Sequence, residues 1–172
     1  MPSRWTFGAM TGISFCQSDS LPMNSDFLND IRYIILRDIR VVREELNAMP
    51  EANLWKVMPG ITNSVGTIAL HLSGNLRHFI GANLAHDGYL RDRDGEFNRK
   101  DLTKSELLQL MDDSISAIEK AFDQLNPAVL DHPMPDPPPQ HSGRTIRFFL
   151  MQLSCHLSRH TGQMNYLRRM LS

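Results

Sequence analysis

The stretch Thr145–Ser172, TIRFFLMQLSCHLSRHTGQMNYLRRMLS, decides the fold. Its apolar residues Ile146, Phe149, Leu150, Leu153, Leu157, Met164, Leu167 and Leu171 recur mostly at i, i+3 and i+4 intervals. That period puts them on one stripe of an α-helix. Counting about 100° per residue, His160 falls within roughly 20° of the stripe's centre line and His156 roughly 60° to one side. Arg168 and Arg169 stand in the last turn, where cations favour the negative end of the helix dipole. The segment therefore reads as a long amphipathic helix with two histidines in its apolar seam.

Working outward, three more helices appear. From Phe27 to Leu46 the residues Phe27, Ile31, Ile34, Ile35, Val41, Val42 and Leu46 keep a helical period. Pro50 and Pro59-Gly60 punctuate the following loop. Asn63 or Ser64 can cap a second helix that carries Val65, Ile68, Leu72, Leu76, Phe79 and Asn83 on one face and ends near His86 to Gly88. The segment RDRDGEFNRKD, Arg91 to Asp101, mixes charges around Gly95 and reads as a solvated connection. Thr103-Lys104-Ser105-Glu106 is a capping box that opens a third helix with Leu107, Leu108, Met111, Ile115, Ile118, Phe122 and Leu125 along its apolar side. Pro127 stops it, and the Pro-rich, aperiodic stretch to Gly143 reads as a long stiff loop. No strand, internal repeat or Gly-rich phosphate loop is evident. The expected fold is all-α, a four-helix bundle.

Composition narrows the function classes. The 172 residues are about one domain's worth, with 41% hydrophobic and 22% charged residues. Lys+Arg is 18 against Asp+Glu 19, a near-balance unlike the basic excess of a general nucleic-acid binder. The arginines Arg32, Arg37, Arg40 and Arg43 alternate with Asp38, Glu44 and Glu45, as on a solvated helix face. No apolar run approaches the ~20 residues that span a bilayer. The two cysteines, Cys16 and Cys155, form no disulfide framework and read as free thiols, Cys155 as a small core residue. With no signal-peptide pattern, the expected location is the cytoplasm. Residues 1–23 are aperiodic, with Trp5, Phe7 and Phe15 among Gly, Ser, Thr and Pro, and read as a flexible N-terminal extension to a domain over 24–172.

His156 and His160 are i, i+4 neighbours, so both imidazoles can converge above one helix face. Two imidazoles in a core seam must be compensated, either by separate hydrogen bonds or by a shared cation. A divalent transition metal suits them, because imidazole is a borderline ligand. The pattern lacks the second-position Glu of a zinc protease, since Leu157 stands there. Helical phase alone does not choose a third ligand. His71 and His78 are both off the centre of the second helix's stripe, and His132 and His141 read as surface residues of the loop.

SVGTIALHLSGNLRHFIGANL, followed by GYLRDRDGEF, resembles the second helix and following loop of DinB-like proteins, and CHLSRHTGQMNYLRRML resembles their last helix with its HxxxHxGQ signature. The resemblance covers about Asn24 to Ser172. It implies a four-helix bundle of up-down-down-up topology, commonly a homodimer, holding a divalent metal ion, typically zinc or nickel, with three histidines. The matching positions here are His71, His156 and His160. Relatives include thiol S-transferases using low-molecular-weight thiols, thiol-dependent isomerases and hydrolases, so the resemblance implies a small-molecule substrate, while the charge balance and the lack of a long apolar run give the expectation of no nucleic acid and no membrane as partner.

The expected activity is therefore metal-dependent transfer of a small thiol to an electrophile. A non-catalytic metal-binding, stress-associated protein and a metal-dependent hydrolase are the alternatives. A hydrolase needs a general base near its water, and no carboxylate lies within a turn of His156 or His160. Asn75, one turn from His71, and Gln163, three residues after His160, can orient a ligand or a neighbouring side chain. Tyr166 and Arg159 lie off the seam, as surface or interface residues.

Overall fold

The computed structural model describes residues 20–172, with side chains from Met23 onward. The aromatic residues Trp5, Phe7 and Phe15, and Cys16, lie outside the described residues. The described chain is all-helical, with helices α1 (Ser20–Ala48), α2 (Val65–Leu76), α3 (Arg93–Asn98), α4 (Lys104–Gln124) and α5 (Ile146–Leu171). Among the described residues there is no strand, only an isolated bridge between Pro133 and Thr145. Helix α1 starts ahead of the first periodic apolar residue. Asn24 is buried and donates to the Pro127 carbonyl, 3.3 Å, and to Asp131, 3.4 Å, while accepting from Arg147.

Each long helix buries most of the stripe its sequence prescribes, though Phe27, Ile34 and Val41, and Leu108, Ile115 and Leu125, are only partly buried. Ile31, Ile35, Val42 and Leu46 of α1 are buried, and Leu36 and Ile39 join them. Helix α1 lies against α4 and α5, and α2 lies against the same two. Thr103 and Glu106 make both bonds of the capping box at the start of α4. Of the arginine face of α1, Arg32, Arg40 and Arg43 pair with Asp123, Glu119 and Asp112 of α4. These pairs are substantially exposed, so each contributes about 0–1 kcal/mol.

Three local features depart from the expected pattern. Every residue of α2 is buried, so this helix has no solvent face. It continues through a π-helical turn, Arg77–Ala82, and stops at Ala85, with His86 left-handed at φ 54°. The polar segment after it is not merely a solvated connection. Asp92 accepts the Gly95 amide at 2.9 Å and caps α3, which packs on α2. The Pro-rich loop is less irregular than its composition suggests, with 3₁₀ turns at Pro127–Asp131 and Pro139–His141. It buries Leu130 and Met134.

Candidate metal centre

Helix α5 sets the first two histidines. Thr145 caps it by accepting the Phe148 amide at 3.2 Å. Ile146, Phe149, Leu150, Leu153, Leu157, Met164 and Leu167 are all buried, which fixes the helix's rotation. His156 and His160 then stand half-buried on consecutive turns, with ring centroids 4.5 Å apart and planes near perpendicular at 83°.

Helix α2 supplies the third. Ser64 caps it by accepting the Thr67 amide at 3.1 Å. Trp55 lies over its first turn, where a Cβ on Gly66 would come 2.6 Å from the indole. The indole Nε1 donates to the Leu102 carbonyl at 3.0 Å, so the ring is held from its far side too. His71 is buried, 7% exposed, and its ring centroid is 5.1 Å from that of His156 and 5.3 Å from that of His160. Its Nε2 is 3.0 Å from Nε2 of His156. His71, His156 and His160 thus form one cluster, each offering a nitrogen within 4.8 Å of the others.

Behind His71 stands a carboxylate. Glu96 of α3 is 5% exposed and lies 3.0 Å from His71 Nδ1 through Oε2. Arg91 holds the same carboxylate with two bonds, Nε to Oε1 at 2.6 Å and Nη2 to Oε2 at 2.9 Å. Burial alone would raise the Glu96 pKa, but the bonds from His71 and Arg91 hold it below the usual carboxylate range. An ionised carboxylate only accepts, so His71 Nδ1 carries the hydrogen of this bond, and in the neutral ring Nε2 is then the nitrogen with a lone pair, toward His156. The approach needs Gly74, because a Cβ there would fall 2.1 Å from Glu96 Oε1.

The donor set fits a divalent ion. Two nitrogens at 2.0–2.1 Å from one tetrahedral ion stand about 3.3 Å apart, the scale of the observed cluster. Burial, and then the neighbouring histidines His160 and His71, push His156 down to about 4. Burial and His71 also lower His160, against a hydrogen bond donated to Gln163 that raises it. The two therefore stay neutral near pH 7, the form that ligates. His160 Nδ1 is buried with no hydrogen-bond partner, so protein groups alone do not satisfy the cluster. A carboxylate behind a histidine is the usual outer support of a ligating imidazole.

The three histidines line a cavity of about 730 Å³, with Asn75, Arg93, Phe97, Phe149 and the Asp136–His141 part of the loop. His78 lines it but stands outside the cluster, its pKa lowered by burial and Arg91. His141, read from sequence as a surface residue, is half-buried against Phe148 and Phe149, at 5.7 and 5.9 Å. His132 is exposed, as are Arg159 and Tyr166. Gln163 is exposed and close enough to His160 to act on its pKa, while Asn75 faces the cavity. Cys155 is exposed, not a core residue, because its position on α5 lies outside the buried stripe.

Sequence reasoning missed Glu96 and Arg91. Charge density hid them, since both sit in a run that resembles solvated polypeptide. The available signal was Asp92-x-x-Gly95, a cap that opens a short helix and turns Glu96 inward.

The sequence profile of a family described as "Protein of unknown function (DUF1572)" matches residues 23–172, and the chain belongs to that family. No curated protein matches it.

Proposed function

We propose that this DUF1572 member is a divalent-metal-dependent enzyme that transfers a low-molecular-weight thiol to a small electrophilic substrate. In this reading it is a DinB-like four-helix bundle of up-down-down-up topology over residues 24–172, preceded by an N-terminal extension, and it works as a cytoplasmic homodimer. His71, His156 and His160 hold zinc or nickel. The observation that carries the reading is the grouping of three imidazoles, two of them held neutral, at the wall of a cavity large enough for a small molecule. No helix among the described residues is long and apolar enough to cross a membrane.

The bound ion supplies positive charge that lowers the pKa of a thiol and favours its nucleophilic form. Glu96 and Arg91 hold His71 in one tautomer, so its Nε2 faces the cluster. Phe97, 5.0 Å from the His71 ring, and Phe149 give the cavity an apolar wall that limits water. Hydrolysis is less well served. Both oxygens of Glu96 are occupied in the protein interior, and Asp136 is the one carboxylate among the described residues lining the cavity.

Two measurements test this together. Elemental analysis should find about one zinc or nickel ion per chain. A panel of glutathione, bacillithiol, mycothiol, coenzyme A and cysteine with a generic electrophile should show turnover that a chelator abolishes. A metal-loaded protein inactive with every thiol sinks the transferase reading and leaves the non-catalytic one. Turnover of an ester without any thiol points instead to the hydrolase.

A further inference from the structure

We propose that the cavity selects a ligand that carries a carboxylate, with Arg93 binding the carboxylate and Asn75 supplying a second polar contact. As a substrate class this means an acidic small thiol, which rests on the thiol-transfer reading above.

The cavity's charges are unevenly committed. Arg91 is taken up by Glu96 through two bonds. Arg93, two residues further along and exposed, has its guanidinium 5.6 Å from the Phe97 ring and forms no ion pair with a carboxylate of the described residues. Asp136 acts on His78 and forms no ion pair with Arg93. Phe97 is the spacer, because its ring also lies 5.0 Å from that of His71. An exposed guanidinium with no ion-pair partner among the described residues thus stands one aromatic ring from the histidine cluster, a separation that a single small molecule bridges.

Asn75 is the second, independent observation. It follows His71 by one turn, lines the cavity and is only 8% exposed. Its Oδ1 is buried with no partner. A buried amide left unsatisfied by the protein is costly unless something else bonds it, and its two ends can exchange places. Whichever end faces the cavity, it offers a hydrogen bond to a ligand beside the cluster. Guanidinium and amide together match a ligand with an anionic oxygen group and a neighbouring polar group.

The probes are N-acetylcysteine and its neutral amide, and the sulfur-free pair N-acetylalanine and its amide. Each is titrated calorimetrically into the zinc-loaded full chain. In both pairs the carboxylate form should bind about tenfold tighter. Arg93→Gln should abolish that preference and leave the affinity for the neutral amides unchanged, and Arg93→Lys should restore part of it. Asn75→Ala should weaken all four probes. No preference for the carboxylates, a preference that survives Arg93→Gln, or no binding of any probe overturns the proposal. A carboxylate preference in the alanine pair with no added affinity from sulfur upholds the Arg93 site and removes the thiol reading alone. Unchanged binding in Asn75→Ala overturns the role of Asn75.

Discussion

Helices α2 and α5 both send histidines to one cluster, yet they are built on opposite plans. Helix α5 is amphipathic, with a buried stripe and an exposed side that carries Cys155, Arg159 and Gln163. Helix α2 is buried on every side, from Val65 to Leu76. On α5 a histidine's angle from the stripe states its burial. On α2 the angle states nothing, because every direction from the axis meets protein. The same contrast governs their glycines. Gly74 of α2 is a space reserved for Glu96, whereas Gly162 of α5 has nothing within 4 Å of where a Cβ would stand.

The largest effect should come from the ligands. His160→Ala and His71→Ala should each lower bound metal at least a hundredfold in a chelator-competition titration, and His78→Ala should leave it within about twofold. Equal losses for His71 and His78 would break the claim that α2 contributes through its buried His71 alone.

The glycines come next. Gly74→Ala should destabilise the fold by about 2–3 kcal/mol in urea denaturation, because the new methyl displaces a buried, ion-paired carboxylate. Gly162→Ala should stabilise it by about 0.5–1 kcal/mol, since an exposed helix interior favours Ala over Gly. Substitutions of the same sign would remove the distinction between the two helices.

Glu96→Gln keeps the shape but can present an NH₂ group to His71. Metal affinity should fall about 10–100-fold while far-UV circular dichroism stays unchanged. Nitrogen NMR of the His71 ring should also show mixed tautomers. An unchanged affinity would mean that Arg91 and Glu96 serve only to fasten α3.

A further effect concerns acid. His156 is held down to about 4 when folded, against about 6.5 unfolded. Between these values the unfolded chain binds the proton and the folded one does not. Its contribution therefore leaves stability flat above pH 6.5, lowers it as pH falls toward 4, and levels below. Glu96, whose folded pKa is depressed, adds a loss in the same direction at the acid end. Denaturation of metal-free protein at pH 7, 5.5 and 4 should show a shallower decline for His156→Gln than for the parent chain. Parallel declines would show that His156 titrates as an exposed histidine does.

Legibility followed the same division. The Thr103–Glu106 capping box, the α5 stripe and the positions of His156 and His160 could be read directly, because each is a local pattern repeated every turn. The start of α1 at Ser20 could not, since the bonds that hold Asn24 come from Pro127, Asp131 and Arg147, more than a hundred residues away. For His71, off the centre of its helix's stripe, helical phase left the choice with His78 open, and only a family resemblance singled it out. Glu96 was invisible because a carboxylate in a charged run is ordinarily solvated, and its burial depends on a gap at Gly74 in another helix.

The amino-acid sequence by itself determined an all-helical chain with two imidazoles on consecutive turns of one apolar seam, since helical period and capping act between near neighbours. Tertiary structure alone decided that His71 completes the cluster, that Glu96 and Arg91 fix its tautomer, and that Arg93 and Asn75 face the same cavity. Those relations join α2, α3 and α5 through space, and no period within one segment encodes the distance to another.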